Sequence, residues 1–128
     1  LRSLARLRDS VLEQMRVAAT VIQPAPESIV VFGSFARGTA TAESDIDVLI
    51  VAPPGAADSE TWLAQVAAFT DRCAAAAGNP AAELIWPVEQ LAQRQQTPLW
   101  TSIAAEGIVV VGQGLEELAA HVRVGHGS

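Results

Sequence analysis

The 128-residue chain predicts an α/β domain, on three observations. Apolar residues recur at helical steps near the start, short β-branched runs bounded by Pro and Gly follow, and helical segments alternate with such runs to the end. Leu4, Leu7, Val11, Met15, Ala18 and Ile22 stand three and four apart. Residues 3–22 therefore read as an amphipathic helix with one buried stripe, stopped by Pro24 and Pro26. Ser28–Phe32 is a first strand, and Phe35–Ser44, small and polar, reads as a helical turn plus loop. Asp45–Ala52 is a second strand, closed by Pro53-Pro54-Gly55. Asp58 or Ser59 caps the next helix, in which Trp62, Val66, Phe69 and Cys73 share one face down to the Gly78-Asn79-Pro80 break. Ala81–Trp86 is a third strand, Val88–Gln95 a short helix, and Leu99–Glu106 a further helix with Gly107 past its end. Ile108–Val111 is a fourth strand and Leu115–His121 a last helical segment.

Composition excludes several kinds of chemistry. All eight basic residues are arginines (Arg2, Arg6, Arg8, Arg16, Arg37, Arg72, Arg94, Arg123). Without lysine there is no Walker-type phosphate loop and no Schiff base, pyridoxal phosphate included. Cys73 is the only cysteine, which rules out an internal disulfide or a thiolate zinc cluster and fits a reducing, cytoplasmic setting. The longest apolar runs are of strand length, well short of the roughly 20 residues that span a bilayer, so no membrane partner is expected. A net charge of -6 argues against a broad grip on nucleic acid, whose affinity comes mainly from neutralised phosphates. The arginines of the first helix interleave with Asp9 and Glu13 and read as a solvated face. The chain opens on Leu1 and L-R-S-L-A-R-L-R already reads as helix, so we expect a single domain over 1–128, with residues 1–23 as its helical start, and further residues upstream.

Two features carry chemistry. Asp45 and Asp47 sit two apart on a strand, so their side chains leave one face with roots about 6.6–7 Å apart while Ile46 and Val48 point inward. Such a pair can hold one or two magnesium ions, since paired catalytic ions sit roughly 3.5–4 Å apart. A solvent-facing acidic strand end is the other reading. At Gly33-Ser34 a strand meets a turn: glycine admits a close neighbour, and serine offers its hydroxyl and N–H to phosphate oxygens. Arg37 has two readings, a phosphate partner or a salt bridge to the Glu43–Asp45 region. Cys73 and Trp62 read as core, Trp86 and Trp100 as packing residues rather than base-stacking ones, Arg72 and Arg94 as solvated helix positions, and His121 and His126 as exposed tail histidines.

The run Val31-Phe32-Gly33-Ser34-Phe35-Ala36-Arg37-Gly38, followed by Ser44-Asp45-Ile46-Asp47-Val48-Leu49-Ile50, resembles the signature of the DNA polymerase beta-like nucleotidyltransferase superfamily. Within it the match is to the minimal nucleotidyltransferases, patterned Gly-Ser-x-Ala-Arg-Gly, a short spacer, then Ser-Asp-x-Asp. The likeness covers most of residues 28–118, including the closing Leu99–Gly112. It implies the nucleotidyltransferase fold, a small mixed β-sheet flanked by helices, and transfer of a nucleoside monophosphate from a nucleoside triphosphate, ATP first, to a hydroxyl.

On that template Asp45, Asp47 and Glu83 are catalytic and metal-binding, Gly33 and Ser34 hold the β and γ phosphates, and Arg37 adds phosphate charge. Glu83 stands where the family more often has Asp, with one extra residue between the Gly78 break and the acid. The cofactor implied is Mg2+, two ions, with Mn2+ as a substitute. The acceptor implied is a partner protein such as a HEPN-type toxin, with RNA or a small antibiotic as further options. The alternative is a non-catalytic nucleotide-sensing or partner-binding module behind an upstream winged-helix DNA-binding domain.

Overall fold

The computed structural model describes residues 4–41 and 43–127, with the side chains of residues 6–41 and 43–121. Helix α1 (Leu4–Ala18) ends in a 3₁₀ turn, Ala19–Val21. Ser3, the first residue of the expected helix, lies outside the described residues. Strand β1 (Ser28–Phe32) runs directly into α2 (Gly33–Arg37), and β2 (Ile46–Ala52) is followed by α3 (Glu60–Ala77) and β3 (Ala81–Pro87). A 3₁₀ turn at Val88–Gln90 leads into α4 (Leu91–Arg94), then come α5 (Pro98–Glu106), β4 (Ile108–Gly112) and α6 (Leu115–Gly127). The expected elements are all present, but the Val88–Gln95 segment splits into a 3₁₀ turn and one α-turn, and α6 runs past His121.

Local chemistry sets the boundaries. Of the two candidates to cap α3, Ser59 does so: its hydroxyl accepts the Trp62 N–H at 3.2 Å, a cap that contributes about 1 kcal/mol. Gly78, at φ +74°, ends that helix in the left-handed conformation that glycine adopts without penalty. Thr97 caps α5 in the same way as Ser59, and Pro98 occupies its first turn, where a missing N–H costs nothing.

The sheet order is β3-β2-β1-β4. β1 is antiparallel to both β2 and β4, while β2 and β3 are parallel. A parallel pair needs a crossover, which α3 provides. Because strand side chains alternate, β2 feeds two cores. Ile46, Val48, Ile50 and Ala52 pack with Met15 of α1 and with Trp62, Val66, Phe69 and Cys73 of α3. Leu49 and Val51 pack on the other side with Trp86, Leu91, Trp100, Ile103 and Leu115, drawn from β3 and α4–α6. A strand covered on both faces reads as an almost unbroken apolar run, and within β2 Asp47 is the only polar residue. Among the described residues no helix is long and apolar enough to cross a membrane.

Candidate active site

The site forms where β1 passes into α2 beside the start of β2. Register pairs Phe32 with Asp47, so the Asp47 carboxylate lies against the backbone that turns at Gly33. Gly33 has φ +75°, and a Cβ built there would overlap the Asp47 carboxylate. Both facts demand glycine, and both follow from a buried strand that must reverse into a helix against an acid on the next strand. Ser34 follows, half-buried in the first turn of α2. The close neighbour expected at Gly33 is therefore an acid of the chain itself.

Asp45 is not in β2 as expected. Pairing starts one residue later, where the Ile46 N–H donates to the Pro80 carbonyl at 2.8 Å. Asp45 is exposed at the end of a turn closed between Thr41 and Ser44, both of whose carbonyls accept hydrogen bonds from the Asn79 side chain. Nothing in the sequence marks Asn79 beyond its place between Gly78 and Pro80, where it reads as an ordinary loop residue.

Burial raises the Asp47 carboxyl above its ordinary value, and the Asp45 charge raises it further, against a lowering by Arg37. Two carboxylates of one sign thus act on each other at this corner. Arg37 does not neutralise them by direct contact: its Nη1 donates to Glu106 Oε2 of α5 at 3.0 Å, with both side chains near half exposure (44% and 41%). The salt bridge expected with the Glu43–Asp45 region is thus made with Glu106 instead. Glu106 is the partner that sequence reasoning missed, since a pair 69 residues apart leaves no local pattern.

Glu83 does not join Asp45 and Asp47. In the parallel pair Asp47 lies opposite Ala82 and Val48 opposite Glu83. Glu83 therefore shares the face of Val48, on the α3 side, where its carboxylate accepts the Thr70 hydroxyl. The positions on the Asp47 face are Ala82 and Leu84, which carry no oxygen. A shift of one residue moves a strand side chain to the opposite face, so the register alone decides that Glu83 and Asp47 point apart. Among the described residues no group of three or more His, Cys, Asp and Glu side chains is placed to hold a metal ion. The donor set suits one hard cation, which binds through one or two carboxylates and completes its shell with substrate phosphates and water. It does not suit two ions held by three acids.

Trp86 and Trp100 are buried and stack on each other, centroids 6.1 Å apart and planes 4° from parallel. Arg94 is not a solvated helix position: its guanidinium lies 5.4 Å from the Trp86 ring centroid, and Nη2 donates to Gln90 Oε1. Arg72 is exposed. Cys73 is fully buried, and burial pushes its thiol up to about 12, so it packs rather than reacts. His121 is exposed and pairs with Gln113 at 3.1 Å, and the side chain of His126 lies outside the described residues.

The match to known proteins agrees with this corner. The chain belongs to the nucleotidyltransferase domain family, whose model matches residues 12–95 and so takes in Gly33, Ser34, Asp45 and Asp47. It is a nucleotidyltransferase by family and by fold. One solved structure that shares the fold is a toxin-antitoxin complex with AMP-PNP, at a TM-score of 0.58 and 19% identity, covering 90% of this chain and 86% of that one. Another is a mutant of the toxin-antitoxin MntA-HpeT, at a TM-score of 0.58 and 17% identity with the same coverage. No curated protein matches the chain.

Proposed function

We propose that this chain transfers a nucleoside monophosphate from a nucleoside triphosphate, ATP first, to a hydroxyl on a partner protein. The observation that carries this reading is the packing of the Asp47 carboxylate on Gly33, which brings the two halves of the motif together at the head of α2. Asp45 and Asp47 would hold one Mg2+, or Mn2+ in its place, whose charge neutralises the triphosphate. The Gly33-Ser34 backbone and the Ser34 hydroxyl take the β and γ phosphates, where N–H groups at a helix start meet negative charge. The acceptor oxygen bonds to the α-phosphorus, the bond to the β-phosphate oxygen breaks, and pyrophosphate leaves. Because Glu83 faces α3, it takes no proton from the acceptor, which passes to water or to a base of the acceptor itself. A protein acceptor, with a HEPN-type toxin as the first candidate, is supported by the toxin-antitoxin setting of the two solved neighbours.

The displaced Glu83 favours one second reading, a module that binds triphosphate without turnover and serves a regulator. Labelled ATP, magnesium and candidate acceptors, with Asp47→Ala alongside, separate the two. Label transfer that Asp47→Ala abolishes is the expected result. Binding of an ATP analogue without transfer to any acceptor supports the second reading, and transfer undiminished in the variant removes the assignment of the site.

A further inference from the structure

Asp45 and Asp47 are placed by different means. Asp47 sits in the β2 ladder and is fixed by its pairing with Phe32 and Ala82. Asp45 lies outside the ladder, at the mouth of a polar turn. That turn is closed within itself: the Ser44 N–H donates to the Thr41 carbonyl at 3.1 Å, and the Thr41 N–H donates to Ser44 Oγ at 3.0 Å. What ties it to the rest of the molecule is Asn79. Its amide nitrogen Nδ2 donates to the carbonyls of Thr41 and Ser44, each at 2.9 Å. The Ser44 carbonyl belongs to the same peptide plane as the Asp45 N–H, so this bond sets the plane that enters Asp45. The next residue is held by the neighbour of Asn79 in sequence, through the Pro80 carbonyl and the Ile46 N–H.

We infer that Asn79 is a positioning residue for Asp45, holding through the Ser44 peptide the carboxylate that the ladder does not hold. The inference rests on the proposed use of Asp45 as a cation ligand. Two donors on one small side chain are what two carbonyls of a turn require. An acid of the same shape has no donor to offer, and alanine has none at all. Outer-shell partners of metal ligands typically change affinity by about 10–100-fold when removed.

The test measures uptake of Mn2+ together with a non-hydrolysable ATP analogue by electron paramagnetic resonance, for wild type, Asn79→Ala and Asn79→Asp. A loss of roughly tenfold or more is expected for both variants. A merely structural role predicts a lower unfolding temperature, so a second readout is needed that such a role leaves alone. In an Asp45→Asn background, removing Asn79 is expected to produce no further loss, because the group it places is gone. Where Asn79→Ala does not fold, Asn79→Ser, too short to reach both carbonyls, takes its place. Wild-type uptake with unchanged uptake in the variants overturns this inference alone, as does a full additional loss in the Asp45→Asn background. Wild-type protein that takes up no Mn2+ with the analogue overturns the cation reading of Asp45 and this inference with it.

Discussion

Gly33 and Asp47 occupy one small volume. A methyl group at Gly33 meets the Asp47 carboxylate, and the native φ of +75° is a left-handed backbone that costs L-residues about 1–2 kcal/mol. Gly33→Ala is expected to lower stability by at least that amount and to weaken binding of an ATP analogue with Mn2+, measured by chemical denaturation and calorimetry. Asp47 stores the opposite tension. Its folded value lies above its ordinary 3.8, so between the two the folded state holds more protons, and stability falls as pH rises through that window. In metal-free buffer, Asp47→Asn is therefore expected to melt higher than wild type at neutral pH. The gain should fade as pH falls below 3.8. Saturating magnesium and ATP analogue should reverse the order, because only wild type gains from binding. At this scale the sequence was legible where chemistry is local: Gly33-Ser34 and Asp45-x-Asp47 stand out by residue type and spacing. The Arg37–Glu106 pair and the Asn79 clamp were not, since each joins residues that only the fold brings together.

The elements themselves were readable because each carries its own punctuation: Pro24 and Pro26 after α1, Ser59 before α3, Gly78 after it, and Thr97-Pro98 at the head of α5. Strand β3 shows where such reading stops. Its existence follows from Ala81–Trp86, but which of its faces meets Asp47 depends on register, and one residue in the preceding turn reverses it. Glu83 consequently reaches Thr70 on α3 and adds its charge to the rise of the Cys73 thiol. Glu83→Gln keeps an acceptor for Thr70 and is expected to leave Mn2+ and ATP-analogue affinity unchanged within twofold, whereas Asp45→Asn or Asp47→Asn is expected to lower it by at least tenfold. Equal losses at Glu83 and Asp47 would contradict the register.

On the scale of the whole molecule, two cores clamp one sheet, and the site lies where their cover ends. α1 and α3 seal one face and α4–α6 the other, yet at the start of β2 the second face carries Asp47 in place of an apolar residue. The Asp47 half of the corner is built at the margin of packed layers, while Asp45 stands on the adjoining turn. Cys73, at the centre of the α3 face, reports on that packing. It is expected to resist thiol reagents in the native state and to react only on global unfolding, whereas fast labelling under native conditions would show that the α3 layer opens locally.

On the proposed reading, Asp45 and Asp47 at the corner beside the Gly33-Ser34 bend receive a cation carried by a triphosphate. This is tested most directly by a crystal soaked with manganese and a non-hydrolysable ATP analogue and read by the anomalous signal of the metal. The expected map shows one manganese ligated by Asp45 and Asp47, with the β and γ phosphates on Gly33 and Ser34 and none of its ligands from Glu83. Triphosphate bound elsewhere, or manganese on the Glu83 face, would contradict it.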